Sequence, residues 1–159
     1  MCKLVRWLLF LTIFFLFDRI SKAIALVGLS YGKIANVFPG LQFQLIWNRG
    51  VSWGMLNYLG GLSHLILSTF IGVVTFLFIL HAIRESKRGK NILFEIMVIA
   101  GALSNLLDRL LYGAVIDFID IYIGFWHWPT FNLADAFVVI GVFGIIIRSM
   151  KDGYFRSNS

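Results

Sequence analysis

Four apolar runs decide what this chain can become. They lie at about 7–29, 62–83, 92–111 and 131–147, each close to the roughly 20 residues a helix needs to cross the hydrocarbon of a bilayer. Together they take up most of the 159 residues, and a chain that is 59% hydrophobic with a mean hydropathy of +0.85 is too apolar for an ordinary soluble domain. The expected fold class is an all-α polytopic membrane protein, a single domain over 1–159, with four transmembrane helices and a long outer loop at 30–61.

The net charge of +6 does not mark a nucleic-acid partner, because the Lys and Arg residues sit at the ends of the runs and form no basic face with interleaved aromatics. Their placement orients the chain. Arg84-Glu85-Ser86-Lys87-Arg88-Gly89-Lys90 is a short, base-rich connection, cytoplasmic by the positive-inside rule. Lys3 and Arg6 before the first run, and Arg148, Lys151 and Arg156 after the last, then fall on the same side. Both termini are expected inside, with the 30–61 and 112–130 connections outside. The start of the chain imitates a cleavable signal peptide, but Asp18, Arg19 and Lys22 interrupt it before Ala23-Ile24-Ala25, so it is read as the first span. Asp18 and Lys22 are four apart on one helix face, which allows an internal ion pair. Cys2 is the one cysteine and excludes an internal disulfide framework or a multi-cysteine metal site.

Residues 30–61 have a different character. Gly32, Gly40, Gly50, Gly54, Gly60, Gly61 and Pro39 punctuate them, and Leu41-Gln42-Phe43-Gln44-Leu45-Ile46-Trp47 alternates apolar with polar residues at its start, a strand signal between turns. Residues 52–59, with Trp53, Met55, Leu56 and Tyr58, fit a short interfacial helix, giving a small extracytoplasmic β-like cradle with a helix beside it. His64 and His81 stand at opposite ends of the second run, about 25 Å apart along a helix, and are read as interfacial residues.

Ionisable groups are costly in a membrane. Yet Asp108, Asp117, Asp120 and Asp135 fall within 28 positions of a chain that has 8 acidic residues in all. Counted from the cytoplasmic end of the third run at Ile92, Asp108 lies roughly 24 Å outward. Asp117 follows that run, Asp135 lies about one turn into the fourth, and Trp126, His127 and Trp128 mark an aromatic belt between them. The acids therefore converge at the outer surface. Asn105, Asp108 and Arg109 share a helix face, so Arg109 can pair with Asp108 or reach Asn105 as part of a supporting network. Asn132 with Asp135 three residues on reads as a helix start, which leaves Asp117 without a local explanation. A proton- or cation-coupled transporter is the competing class, though its ionisable groups should run through the bilayer depth. A Mg²⁺-dependent phosphotransferase is a third. A peptidase built on Ser21 and Lys22 fails because adjacent helical residues do not face each other.

Five blocks occur in order: Asp18-Arg19-Ile20-Ser21-Lys22, Asn48-Arg49-Gly50-Val51-Ser52-Trp53-Gly54, Gly101-Ala102-Leu103-Ser104-Asn105-Leu106-Leu107-Asp108-Arg109, Val115-Ile116-Asp117-Phe118, and Phe131-Asn132-Leu133-Ala134-Asp135. In them the chain resembles the lipoprotein signal peptidases, the signal peptidase II family of bacterial inner membranes, over essentially its whole length. The resemblance implies an aspartic protease with its catalytic dyad on Asp117 and Asp135. It places Asn48, Asn105, Asp108, Arg109 and Asn132 among supporting or substrate-binding polar residues, and Asp18 and Lys22 on a first-span motif. It implies no metal or cofactor. The implied partners are membrane lipids and diacylglyceryl-modified prolipoproteins, cut just before the lipidated Cys at the outer (periplasmic) face, with a monomer as the expected unit. Two positions depart from the commonest pattern, Arg19 where Gln is frequent and Ser104 where Gly is frequent, and both bear on local packing and substrate fit.

Overall fold

The computed structural model describes residues 3–50 and 61–157, with side chains at 3–50 and 65–151. These residues form α1 (Lys3–Gly28), β1 (Ile34–Phe38), β2 (Leu41–Asn48), α2 (Gly61–Lys87), α3 (Leu93–Tyr112), β3 (Val115–Ile123), β4 (Trp126–His127) and α4 (Leu133–Ser157). α3 is the hub, packing against each of the other helices. It is buried continuously from Glu95 to Gly101. The outer helices turn large apolar side chains outward instead: Leu8, Phe17 and Ile24 on α1, Phe70 and Phe76 on α2, Ile140, Phe143 and Ile147 on α4. An apolar exterior on this scale suits lipid rather than water.

Two helices are long and apolar enough to cross a membrane on length and composition alone, α2 over Leu65–Lys87 and α4 over Leu133–Lys151. α1, of 26 residues, and α3, of 20, carry too many charges for that test. Four of those charges point inward: Asp18, Lys22, Glu95 and Asp108 are buried and paired.

Close approach of α3 and α4 sets the position of everything at their outer ends. A Cβ on Gly101 would lie 2.4 Å from the Ala134 carbonyl oxygen, and one on Gly141 would lie 2.7 Å from the Phe94 carbonyl oxygen. Small residues that let backbones touch are how helices pack where no water drives them together. At the other end Arg148 bonds both the Glu95 carboxylate and the Asn91 carbonyl. His81 lies 3.8 Å from that same Glu95, an acidic neighbour its local sequence does not suggest.

The strands form one antiparallel sheet in the order β1-β2-β3-β4. The alternation at 41–47 is realised as β2. The expectation of an all-α chain with a cradle drawn from 30–61 needs correction, because the longest strand, β3, and the short β4 come from the 112–130 connection. Gly113 makes this possible: at φ +70° it ends α3 in a left-handed turn whose N–H donates to the Arg109 carbonyl at 3.0 Å, and β3 starts two residues later. The interfacial helix expected at 52–59 and the side chain of His64 lie outside the described residues.

Candidate active site

Successive residues of a strand face opposite sides of its sheet, so Asp117 and Asp120 of β3 separate. Asp120 enters a buried cluster of its own, accepting from Gln42 Nε2 at 2.6 Å and Gln44 Nε2 at 2.9 Å, with His127 Nδ1 at 2.9 Å. Its burial is explained there, away from the other acids. Asp117 faces the helices and is 1% exposed. Asn48, diagonal to it across the β2–β3 ladder, donates from Nδ2 to Asp117 Oδ2 at 2.8 Å, while Asn132 Nδ2 donates to Asp117 Oδ1 at 2.7 Å. The Asn48 side-chain oxygen accepts from the Gly50 N–H at 2.7 Å, which orients the amide toward Asp117.

Asp135 arrives on α4. Asn132 caps that helix: its Oδ1 accepts from the Asp135 N–H at 3.0 Å, and Asp135 Oδ2 accepts from the Asn132 N–H at 3.2 Å. This is the reciprocal capping arrangement expected from the spacing, and Asn132 does more than cap. Its Nδ2 reaches Asp117, and also Asn105 Oδ1 at 3.2 Å and the Ile116 carbonyl at 3.3 Å. Asn132 thus bonds both proposed catalytic carboxyl groups, that of Asp117 through its side chain and that of Asp135 through its main-chain N–H. Asn105 Nδ2 completes the set, donating to Asp135 Oδ1 at 2.8 Å.

A buried ionic network stands behind these amides. Lys22 Nζ bonds Asp18 Oδ2 at 2.7 Å, Asp108 Oδ2 at 2.8 Å and Asn105 Oδ1 at 2.8 Å. Lys22 therefore orients the Asn105 amide, leaving its Nδ2 for Asp135. Asp18 Oδ1 in turn accepts from the Ala134 N–H at 2.8 Å, tying α1 to the start of α4. The expected Asp18–Lys22 pair is present. Asp108, by contrast, takes Arg19 and Lys22 as its partners. Arg109 donates to the Asn105 carbonyl at 3.4 Å, the second of its two expected options, because adjacent helical positions diverge and a side chain at 109 cannot easily double back on 108. Both departures from the common pattern enter this network: Arg19 holds Asp108, and Ser104 Oγ donates to Asp18 Oδ2 at 2.6 Å. They bear on local packing, as their departure from the common pattern implied, through bonds to acids 89 and 86 positions away that the sequence alone does not pair.

The two acids of the site differ in environment. Burial, first, and then the charge of Asp135 push the Asp117 carboxyl up from 3.8 to about 6, against the opposing pull of Asn48, Asn132 and Lys22. Asp135 is half-exposed at a helix N-terminus. Near pH 6 and below, Asp117 keeps a proton, and one proton shared between two neighbouring carboxyls is the distribution that acid–base chemistry on a water molecule needs.

The family model for signal peptidase (SPase) II matches residues 10–151. The chain is 36% identical to the lipoprotein signal peptidase of Burkholderia thailandensis, covering 93% of this chain and 89% of that protein. It is 37% identical to the lipoprotein signal peptidase of Blochmanniella pennsylvanica, over 98% and 94%. Two solved bacterial membrane enzyme structures, obtained by the in meso method at 2.3 and 1.9 Å resolution, superpose with TM-scores of 0.74 and 0.75 at 30% identity. They cover 95% and 94% of this chain, and the chain covers 91% and 96% of theirs. Matches of this extent on a chain with an apolar exterior make it a membrane protease: it belongs to the signal peptidase II family.

Proposed function

We propose that this chain is an aspartic endopeptidase that removes the signal peptide from diacylglyceryl-modified prolipoproteins, cutting before the lipidated Cys, with Asp117 and Asp135 as its catalytic pair. The observation that carries the reading is Asn132, which hydrogen-bonds both carboxyl groups although they come from β3 and α4. Asp135, ionised, takes a proton from water as the water oxygen bonds to the scissile carbonyl carbon. Asp117 gives its proton to the carbonyl oxygen. When the tetrahedral species collapses, Asp117 recovers that proton and Asp135 passes the other to the departing amide nitrogen as the C–N bond breaks. Both acids end as they began. Asn48 and Asn132 hold Asp117 while Asn105 and Asn132 hold Asp135; Asp18, Lys22 and Asp108 support Asn105 from behind, and Arg109 lies beside it.

The same reading makes the chain one domain with all four helices spanning the membrane, its buried charges neutralised in pairs within α1 and α3. It places both termini in the cytoplasm, the sheet and acids at the outer face of the bacterial inner membrane, and a monomer as the working unit. The acyl chains then stay in lipid while the peptide reaches the acids. Family membership removes the ground for a transporter. The test is incubation of detergent-purified protein with a lipidated and an unlipidated pro-peptide, with products weighed by mass spectrometry. Release of a fragment beginning at the lipidated Cys, unaffected by chelators, is expected. Cleavage at another bond, or equal cleavage of the unlipidated peptide, overturns the reading.

A further inference from the structure

On the lipid-facing side of the bundle, α2, α3 and α4 enclose an apolar groove of about 220 Å³ that no part of the proposed mechanism uses. Val74 and Phe78 of α2, Ala102 of α3, and Val138 and Val142 of α4 are among its walls. Thr75 is its polar lining residue, and its hydroxyl is turned back to the Ile71 carbonyl at 2.7 Å, so the groove presents hydrocarbon only. An apolar cavity of about 150 Å³ is enough to hold a benzene molecule and exclude water. A larger one, open to lipid, forfeits dispersion contacts unless hydrocarbon fills it.

Position distinguishes this groove from a packing gap. Ala102 lies one helical turn from Asn105, and Val138 one turn from Asp135, so two walls of the groove stand one turn from the partly exposed acid. Two turns along α2 from Thr75 the chemistry changes. Ser68, seven residues from Thr75 on the same face of α2, is buried, and its hydroxyl has no hydrogen-bond partner among the described residues. The Arg109 Nε–H is likewise buried and unmatched among them. Leu67, beside Ser68, and Arg109 Nη2 both adjoin Gly50, which brings these two donors to the same level of the bundle. Buried donors left unmatched are costly, and these two, unmatched among the described residues, lie beyond a hydrocarbon slot whose walls stand one turn from the proposed catalytic acids.

We propose that the groove is the subsite for an acyl chain of the substrate's own lipid, with Ser68 and Arg109 donating to the ester carbonyl oxygens where that lipid joins the peptide. The proposal rests on the reading of a lipidated substrate and adds where its lipid sits. The experiment uses the full chain in detergent and a diacylglyceryl pro-peptide bearing a photoreactive diazirine midway along one acyl chain. Labelling at Val74, Phe78 or Val142, displaced by unlabelled dipalmitoyl pro-peptide, is expected. Labelling on the outward face of α1, or labelling that the competitor does not displace, means bulk lipid and overturns the proposal. Filling the groove by Val142→Phe should lower kcat/KM for a dipalmitoyl substrate about tenfold while leaving a dioctanoyl substrate within about twofold. Equal loss on both chains, or no loss on either, also overturns it. Ser68→Ala should raise KM about fivefold for the diester and leave the diether analogue unchanged, as loss of one hydrogen bond to a carbonyl requires; an equal effect on both removes Ser68 from the subsite. Failure to cleave any lipopeptide would instead refute the proposed function, and the labelling result would stand on its own.

Discussion

Replacing Asp117 by Asn should abolish turnover and at the same time make the protein more stable at neutral pH. The wild-type carboxyl is raised from 3.8 to about 6, chiefly by burial. Between those values the folded state keeps a proton that the unfolded state releases, so stability falls as pH rises through that window. At about 1.36 kcal/mol for each pH unit, the charge on Asp117 costs about 3 kcal/mol above pH 6. Asn carries no such charge. It does place an NH₂ group against the Nδ2 donor of Asn48, or against that of Asn132 if flipped, forfeiting one hydrogen bond worth about 1 kcal/mol. The Asn variant should thus exceed wild type by about 2 kcal/mol at about pH 7.5 and fall about 1 kcal/mol below it at about pH 4. Thermal unfolding of both proteins across that range reads the difference, in which titrating groups not coupled to Asp117 cancel. A variant less stable than wild type at neutral pH, or a difference that does not change with pH, would refute the assignment of a costly buried charge to Asp117.

Lys22→Met should destabilise the protein by about 3 to 5 kcal/mol, seen in thermal unfolding, because Asp18 and Asp108 lose their shared buried cation; Arg19 softens this only for Asp108. Asn48→Ala frees one oxygen of Asp117 and should lower kcat by about tenfold or more with KM changed little; unchanged kcat would remove Asn48 from the site. Gly101→Leu puts a side chain where the Ala134 carbonyl already lies 2.4 Å from an added Cβ, so α4 must move and take Asp135 with it. Activity and stability should then be lost together, whereas full activity would mean that the α3–α4 approach does not set the acid.

The helices were legible because hydropathy is a property of each residue alone, and α2 and α4 obey it plainly. β2 was legible for the same reason: Gln42 and Gln44 alternate with Leu41, Phe43 and Leu45. β3 escaped notice because both of its faces are covered from Val115 to Phe118, which erases the alternation that marks a strand with one wet face. Its β-branched run, Val115-Ile116 and then Ile119, Ile121 and Ile123, was the remaining signal. The Asn132–Asp135 cap is local and readable from its spacing. What joins Asp117 to Asp135 is not: the β3 acid meets Asn132 15 positions later, and Asp108 meets Arg19 across 89 positions. Contacts of that kind depend on how four helices settle against one another, and on Gly101 and Gly141 letting α3 and α4 touch.

Cleavage of a diacylglyceryl pro-peptide by Asp135→Asn protein, in parallel with wild type at matched folded concentration, tests the central claim most directly. Asn at 135 keeps the helix cap available but cannot take a proton from water. The account predicts a loss of at least about a thousandfold, with the substrate still bound, since the base half of the acid–base pair is gone. Retention of about a tenth of wild-type cleavage, far above what a missing general base allows, would contradict it.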